Sequence, residues 1–179
     1  MSSPPEAPRQ RLFFALWPPP ERVRPLAALV RRHTPAQARQ MDAGNLHVTL
    51  AFVGAVTADT RACLEQAAAS VRGEPFELIL ERIGTWPGPG ILWLAPDRCP
   101  PVLQRLAMDL QQALQPCGYV PEQRPYQPHV TLARKLKNVV PAATIAPLHW
   151  PVRDFVLVDS VTGPAGPRYQ VVARWPLAP

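Results

Sequence analysis

His47-Val48-Thr49-Leu50 and His129-Val130-Thr131-Leu132 are the same four residues written twice, 82 positions apart. Both copies read as the start of a short strand: His47 to Val53 and His129 to Ala133. Side chains on a strand alternate faces. His47 and Thr49 therefore share one face, and Val48 and Leu50 share the other. The same holds for His129 and Thr131 against Val130 and Leu132. The apolar face suits a helix-covered core. The polar face would leave donors unpaired inside a core, at about 1–3 kcal/mol per group. Two such faces, brought together by symmetry, place two imidazoles and two hydroxyls around one small volume.

The flanking pattern repeats as well. A strand over Leu12–Trp17 precedes the first histidine strand, and a strand over Ile91–Ala95 precedes the second. Val23, Leu26, Ala27 and Val30 mark a helix between the first pair, with Pro25 awkwardly inside it. Leu103, Leu106, Ala107, Leu110 and Leu114 mark a helix between the second pair, opened by Pro100 and Pro101. The interval from Arg11 to His47 is 36 residues, and from Ile91 to His129 it is 38. A further strand follows each histidine strand, at Phe76–Ile83 and at Phe155–Val161. Thr57 or Asp59 can cap a helix whose face is Leu64, Ala67, Ala68 and Val71. Residues 84–90, with Gly84, Pro87, Gly88, Pro89 and Gly90, form a turn between the halves. Tyr169–Trp175 is the last strand. Residues 34–45, 118–128 and 135–151 read as loops. Two similar half-units predict two lobes about a pseudo-twofold axis.

Composition sets the outer limits. The chain has 179 residues, 47% hydrophobic, so one domain with a sizeable core is expected. Residues 1–10 read as a flexible tail and 11–179 as the single domain. The 25 prolines and nine glycines punctuate loops. Lys plus Arg exceeds Asp plus Glu for a net charge of +6, which favours anionic partners such as nucleic acid. Cys63, Cys99 and Cys117 form an odd set with no CxxC, arguing against a disulfide framework and against a zinc site. No apolar run approaches a membrane span, and no protein partner is implied. Pro4, Pro5, Glu6 and Pro8 stand where a signal peptide would be apolar. A cytoplasmic location is the expectation.

A histidine titrates near pH 6.5 and can give or take a proton at neutral pH. One imidazole on each side of a phosphorus atom supplies what in-line displacement needs: a base for the attacking oxygen and an acid for the leaving one. Threonine hydroxyls can donate to the non-bridging oxygens. A metal site is the rival use of two histidines, but no carboxylate or cysteine stands in a zinc-like spacing and threonine is a poor zinc ligand. His33 and His149 read as surface residues.

At these residues the chain resembles the two-histidine (2H) phosphoesterases, and among them the LigT branch, the RNA 2′,3′-cyclic phosphodiesterases also named 2′-5′ RNA ligases. The resemblance runs through Arg11-Leu12-Phe13-Phe14-Ala15-Leu16, Asn45–Gly54, Leu92-Trp93-Leu94, Arg124–Arg134, Tyr169 and Trp175. It implies a bilobal α+β fold, two pseudo-symmetric lobes with antiparallel sheets enclosing a central cleft and helices outside. It implies cofactor-free hydrolysis of a 2′,3′-cyclic phosphate on RNA to a 2′-phosphate. His47 would be the proton donor, His129 the proton acceptor, and Thr49 and Thr131 would hold the phosphate.

The resemblance also gives Arg134 a phosphate-contacting role. Arg134 has the opposite parity to His129 and Thr131, so it reaches the phosphate only where the strand ends or bulges near Ala133. Phe14, Phe52, Trp93 and Tyr126 are candidates to stack on a base, and Tyr126 is favoured because Pro125 and Pro128 fix its loop beside His129. The alternatives are 2′-5′ ligation by the reverse reaction, a phosphodiesterase for small cyclic nucleotides, and a non-catalytic RNA-binding module.

Overall fold

The computed structural model describes residues 9–164 and 166–178. In chain order the elements are β1 (Gln10–Leu16), α1 (Pro20–His33), β2 (Arg39–Gln40), β3 (Val48–Val56), α2 (Ala58–Ala69), β4 (Phe76–Trp86), β5 (Ile91–Ala95), α3 (Pro101–Leu114), β6 (Val130–Arg134), β7 (Ala143–Val152), β8 (Asp154–Gly163) and β9 (Gly166–Pro176). Residues 1–8 of the expected tail lie outside the described residues, and Gln10 already belongs to β1.

Local chemistry explains the helices. Prolines open α1 and α3, where a missing N–H costs nothing. Thr57, rather than Asp59, caps α2: its hydroxyl accepts from the Thr60 amide at 3.3 Å. Arg31, Arg32 and His33 in the last turn of α1 complement its dipole. Pro25 is accommodated inside α1, whose buried stripe is Leu26 and Val30.

The strands form one antiparallel sheet in the order β7-β4-β5-β6-β3-β1-β8-β9, with β2 pairing β6 off that path. Its midline lies between β6 and β3. The two expected lobes are the leaves on either side: β3-β1-β8-β9 and β6-β5-β4-β7. Outward from the midline the equivalent strands are β3 and β6, β1 and β5, β8 and β4, β9 and β7. The strand after each histidine strand does not stay with its own half of the chain, as the simple repeat predicts. Residues 87–90 turn tightly enough to pair β4 with β5, so β4 joins the second leaf and β8 joins the first.

The helices cover one face. Leu12, Phe14, Leu16, Val48, Leu50, Leu92, Leu94, Val130 and Leu132 point into that core with Leu26, Leu64, Leu103 and Leu110. On the opposite face, Phe13, Ala15, Val156 and Val158 form a small second cluster with Trp17, Tyr169 and Val171.

Two sequence expectations are corrected. Residues 135–151 are not all loop, because β7 occupies Ala143–Val152 and pairs with β4. It is an edge strand, the one place in a sheet that tolerates Pro147 and Pro151. His149 sits on it, half exposed, with Nδ1 3.2 Å from the Glu77 carboxylate. The odd cysteine count argues against a disulfide framework, yet one disulfide is present. Cys63 on α2 and Cys117 in the 3₁₀ turn after α3 form a disulfide, their Cα atoms 5.7 Å apart. The two come from separate helical elements on the covered side of the sheet, so no local spacing announces the pair. Among the described residues no helix is long and apolar enough to cross a membrane.

The disulfide closes a loop spanning 54 positions, which a chain-entropy estimate equates to about 4 kcal/mol. Urea unfolding with and without a thiol reductant should show a loss of about 2–4 kcal/mol on reduction. An unchanged midpoint would show that the bond contributes nothing to stability.

Candidate active site

Val48 lies opposite Val130, the register that joins the two leaves. Continued by one residue each way, this antiparallel register sets position 47 across from 131 and position 49 across from 129. Each histidine position thus lies across from the threonine position of the other repeat, on the face away from the helices.

Each repeat then bulges at its leucine. On β3, Ala15 pairs with Thr49 but Phe14 pairs with Ala51, leaving Leu50 extra. On β6, Trp93 pairs with Thr131 but Leu92 pairs with Ala133, leaving Leu132 extra. A bulge resets strand parity. Leu50 and Ala51 are both buried, as are Leu132 and Ala133. The next residues, Phe52 and Arg134, are returned to the open face. This meets the condition that the sequence set for Arg134. Its guanidinium acts electrostatically on both imidazoles, lowering the proton affinity of each.

The imidazoles are held alike. His47 Nδ1 lies 2.6 Å from the Asn45 carbonyl oxygen, and His129 Nδ1 lies 2.9 Å from the Gln127 carbonyl oxygen. A carbonyl only accepts, so Nδ1 carries the proton in each ring. In the neutral rings both Nε2 atoms keep their lone pairs. His47 Nε2 is 3.1 Å from Thr49 Oγ1, which donates to it while the ring is neutral. Asn45 also reaches outward. Its Nδ2 donates to the Pro167 carbonyl at 2.9 Å, and its Oδ1 accepts from the Tyr169 amide at 3.2 Å. One residue therefore fixes the His47 ring and draws the start of β9 over it.

Aromatic rings line the walls. Phe13, Trp17 and Tyr169 surround His47 with centroids 4.8, 5.8 and 5.4 Å away. Trp86 makes a T-shaped contact with His129 at 4.5 Å and contacts Trp93. Gly84 pairs with Trp93, whose indole occupies the space a Cβ there would fill. Desolvation dominates the titration of both imidazoles. It pulls His47 down to about 4 despite the opposing hydrogen bond to Asn45, with His129 and Arg134 adding to the drop. His129 is lowered too, first by burial and then by Arg134, against its bond to Gln127. Among the described residues, no three His, Cys, Asp or Glu side chains cluster so as to hold a metal ion.

The expected stacking residues need correction. Phe14 is fully buried on the helix side, against Phe155 and Trp175, and no base can reach it. Its even position on β1 sends it into the core. Tyr126 packs against the same core and donates its hydroxyl to the Thr49 carbonyl at 3.0 Å. It supports the strand carrying Thr49 instead of presenting a free face. Phe52 takes the open position: it is 46% exposed, with the Arg11 guanidinium 4.8 Å over its ring. The signal that favours Phe52 over Tyr126 is the Leu-Ala doublet after each threonine, where alternation breaks.

The model of the 2′-5′ RNA ligase superfamily matches residues 14–164. The chain belongs to this superfamily. It is 35% identical over 173 residues to an RNA 2′,3′-cyclic phosphodiesterase of Escherichia coli K12, covering 94% of this chain and 97% of that one. It is 31% identical over 136 residues to the protein of the same name from Archaeoglobus fulgidus, covering 70% and 76%. Among solved structures, E. coli LigT complexed with 3′-AMP superposes with a TM-score of 0.86 at 33% identity, over 96% of this chain and all of that one.

The depressed His47 has a consequence for stability. Its folded value of about 4 lies below the ordinary 6.5, so between these pH values the unfolded chain holds a proton that the folded chain refuses. Stability falls as pH drops from about 6.5 toward 4, by up to about 1.4 kcal/mol per pH unit for this one group. His47→Gln should flatten that decline in urea titrations at pH 7, 5.5 and 4. An equally steep decline in the variant would contradict the assignment.

Proposed function

We propose that this protein hydrolyses 2′,3′-cyclic phosphate ends of RNA to 2′-phosphates, with His47 as proton donor and His129 as proton acceptor. The observation that carries the reading is the pair of imidazoles with Nδ1 tied to backbone carbonyls and both Nε2 atoms on one face with Thr49, Thr131 and Arg134. The relatives named for this reaction support it.

The cyclic phosphate sits against the midline of the sheet, its anionic oxygens taken by Thr49, Thr131 and Arg134. Negative charge there offsets the repulsion that His129 and Arg134 impose on His47, so a proton on His47 enters with the substrate. A water beside His129 loses its proton to Nε2 and attacks phosphorus opposite the 3′ oxygen. The P–O3′ bond breaks, and His47 Nε2–H passes its proton to O3′. The product is a 2′-phosphate with a free 3′-hydroxyl. His129 ends protonated and His47 neutral, and exchange with water resets both. Threonine and arginine donors stabilise the charge that builds on the equatorial oxygens. Phe52 supplies a face for the terminal base, steadied by Arg11. A cytoplasmic location suits an RNA substrate.

His47→Ala and His129→Ala should each lower kcat by about 10²–10⁴-fold with the circular dichroism spectrum unchanged. The assay is hydrolysis of a short RNA ending in 2′,3′-cyclic phosphate, in EDTA. Wild-type inactivity under those conditions would defeat the proposal. Anion binding raises imidazole pKa values, so the alkaline limb of kcat should lie at higher pH than that of kcat/KM. Coincident limbs would argue against proton uptake with substrate. Phe52→Ala should raise KM about 5- to 100-fold, and Phe52→Trp should restore it. A KM indifferent to both changes would remove Phe52 from base contact.

A further inference from the structure

Arg39 and Arg134 face each other directly in the β2–β6 pairing. Opposed residues in an antiparallel pair hold their Cβ atoms about 4.5–5.5 Å apart, so the two arginine side chains start from neighbouring points. Arg134 is the cation whose field reaches both imidazoles. Arg39 is exposed and extends away from the second leaf toward the first. Its guanidinium occupies the space beside Gly166 that a side chain there would fill. Gly166 closes the β8–β9 turn with Gly163 at φ +111°, a conformation other residues rarely adopt. The first residues of β9 are tied down by Asn45, the residue that also fixes the His47 ring. Arg39 is thus placed in the same frame as the histidines, one step outward from Arg134.

We propose that Arg39 forms a second phosphate subsite, which takes the phosphodiester on the 5′ side of the terminal nucleotide while Arg134 takes the terminal cyclic phosphate. This rests on the hydrolytic reading above and deepens it. Guanidiniums carried from two opposed backbone positions can meet two anions one nucleotide apart, and arginine suits bidentate phosphate contact. The ligand class is therefore an RNA chain of at least two nucleotides. A cyclic mononucleotide with a 5′-hydroxyl lacks the second anion and cannot use the subsite.

The test compares two substrates on wild type, Arg39→Gln and Arg39→Lys. One is a 2′,3′-cyclic mononucleotide with a 5′-hydroxyl, and the other is a trinucleotide ending in 2′,3′-cyclic phosphate. Arg39→Gln should lower kcat/KM about tenfold on the trinucleotide, mainly through KM, and less than twofold on the mononucleotide. Arg39→Lys should recover part of the loss. The slope of log kcat/KM against log salt for the trinucleotide should weaken by about 0.7 in Arg39→Gln, as expected for one lost phosphate contact on a single strand. Equal losses on both substrates, or no loss on the trinucleotide, would overturn the subsite while leaving the hydrolytic reading intact. Wild-type inactivity on both substrates would instead defeat that reading, and the subsite with it.

Discussion

Where each group of the site lands is decided by one antiparallel step, Val48 against Val130. Two valines buried on the helix side hold the leaves together there, and hydrophobic burial makes that register expensive to change. A slip of one residue would turn both histidines and both threonines into the core and both valines out of it. The polar face is thus enforced from behind, by apolar side chains that never touch it. The same step crosses the repeats, so each histidine position lies across from the threonine position of the other copy.

The two copies are alike up to the bulge and part company immediately after it. Leu50-Ala51 and Leu132-Ala133 do the same work of resetting parity. The residue then delivered to the open face is an aromatic ring in one leaf and a cation in the other. A symmetric site would treat both ends of a bound molecule alike. Phe52 offers an aromatic face and Arg134 a positive charge, and the walls add to the difference: three rings crowd His47, whereas Trp86 meets His129 in a T-shaped contact. Pseudo-symmetry supplies the paired imidazoles, and its failure two residues after each bulged leucine makes the two ends of the site unlike.

Much of this was legible in the chain, because period-two alternation around His47 and His129 is a direct consequence of strand geometry. The tetrapeptide repeat, the α1 and α3 stripes and the turn at 84–90 carry their own local signals. What escaped depends on contacts distant in sequence. Nothing near Cys63 points to Cys117. Strand β7 is masked by its prolines, which only an edge position permits. Phe14 and Phe52 are equally aromatic on paper, and only the bulge at Leu50 separates a core residue from an exposed one. The prolines around Tyr126 announce a fixed loop, whereas the Thr49 carbonyl that its hydroxyl reaches lies 77 positions away. The exchange of β4 and β8 between leaves follows from hairpin closure, which a repeat of intervals cannot express.

That exchange has an implication for assembly. The first stretch of chain supplies β1 and β3 to one leaf and β4 to the other, while the later stretch supplies β5, β6 and β7 to the second leaf and returns β8 and β9 to the first. Neither stretch encloses a finished leaf. The protein is, in topology, a strand-swapped dimer whose two subunits have been fused into a single polypeptide. Its two histidine-bearing strands reach their final neighbours only together, since neither stretch completes a leaf without strands lent by the other.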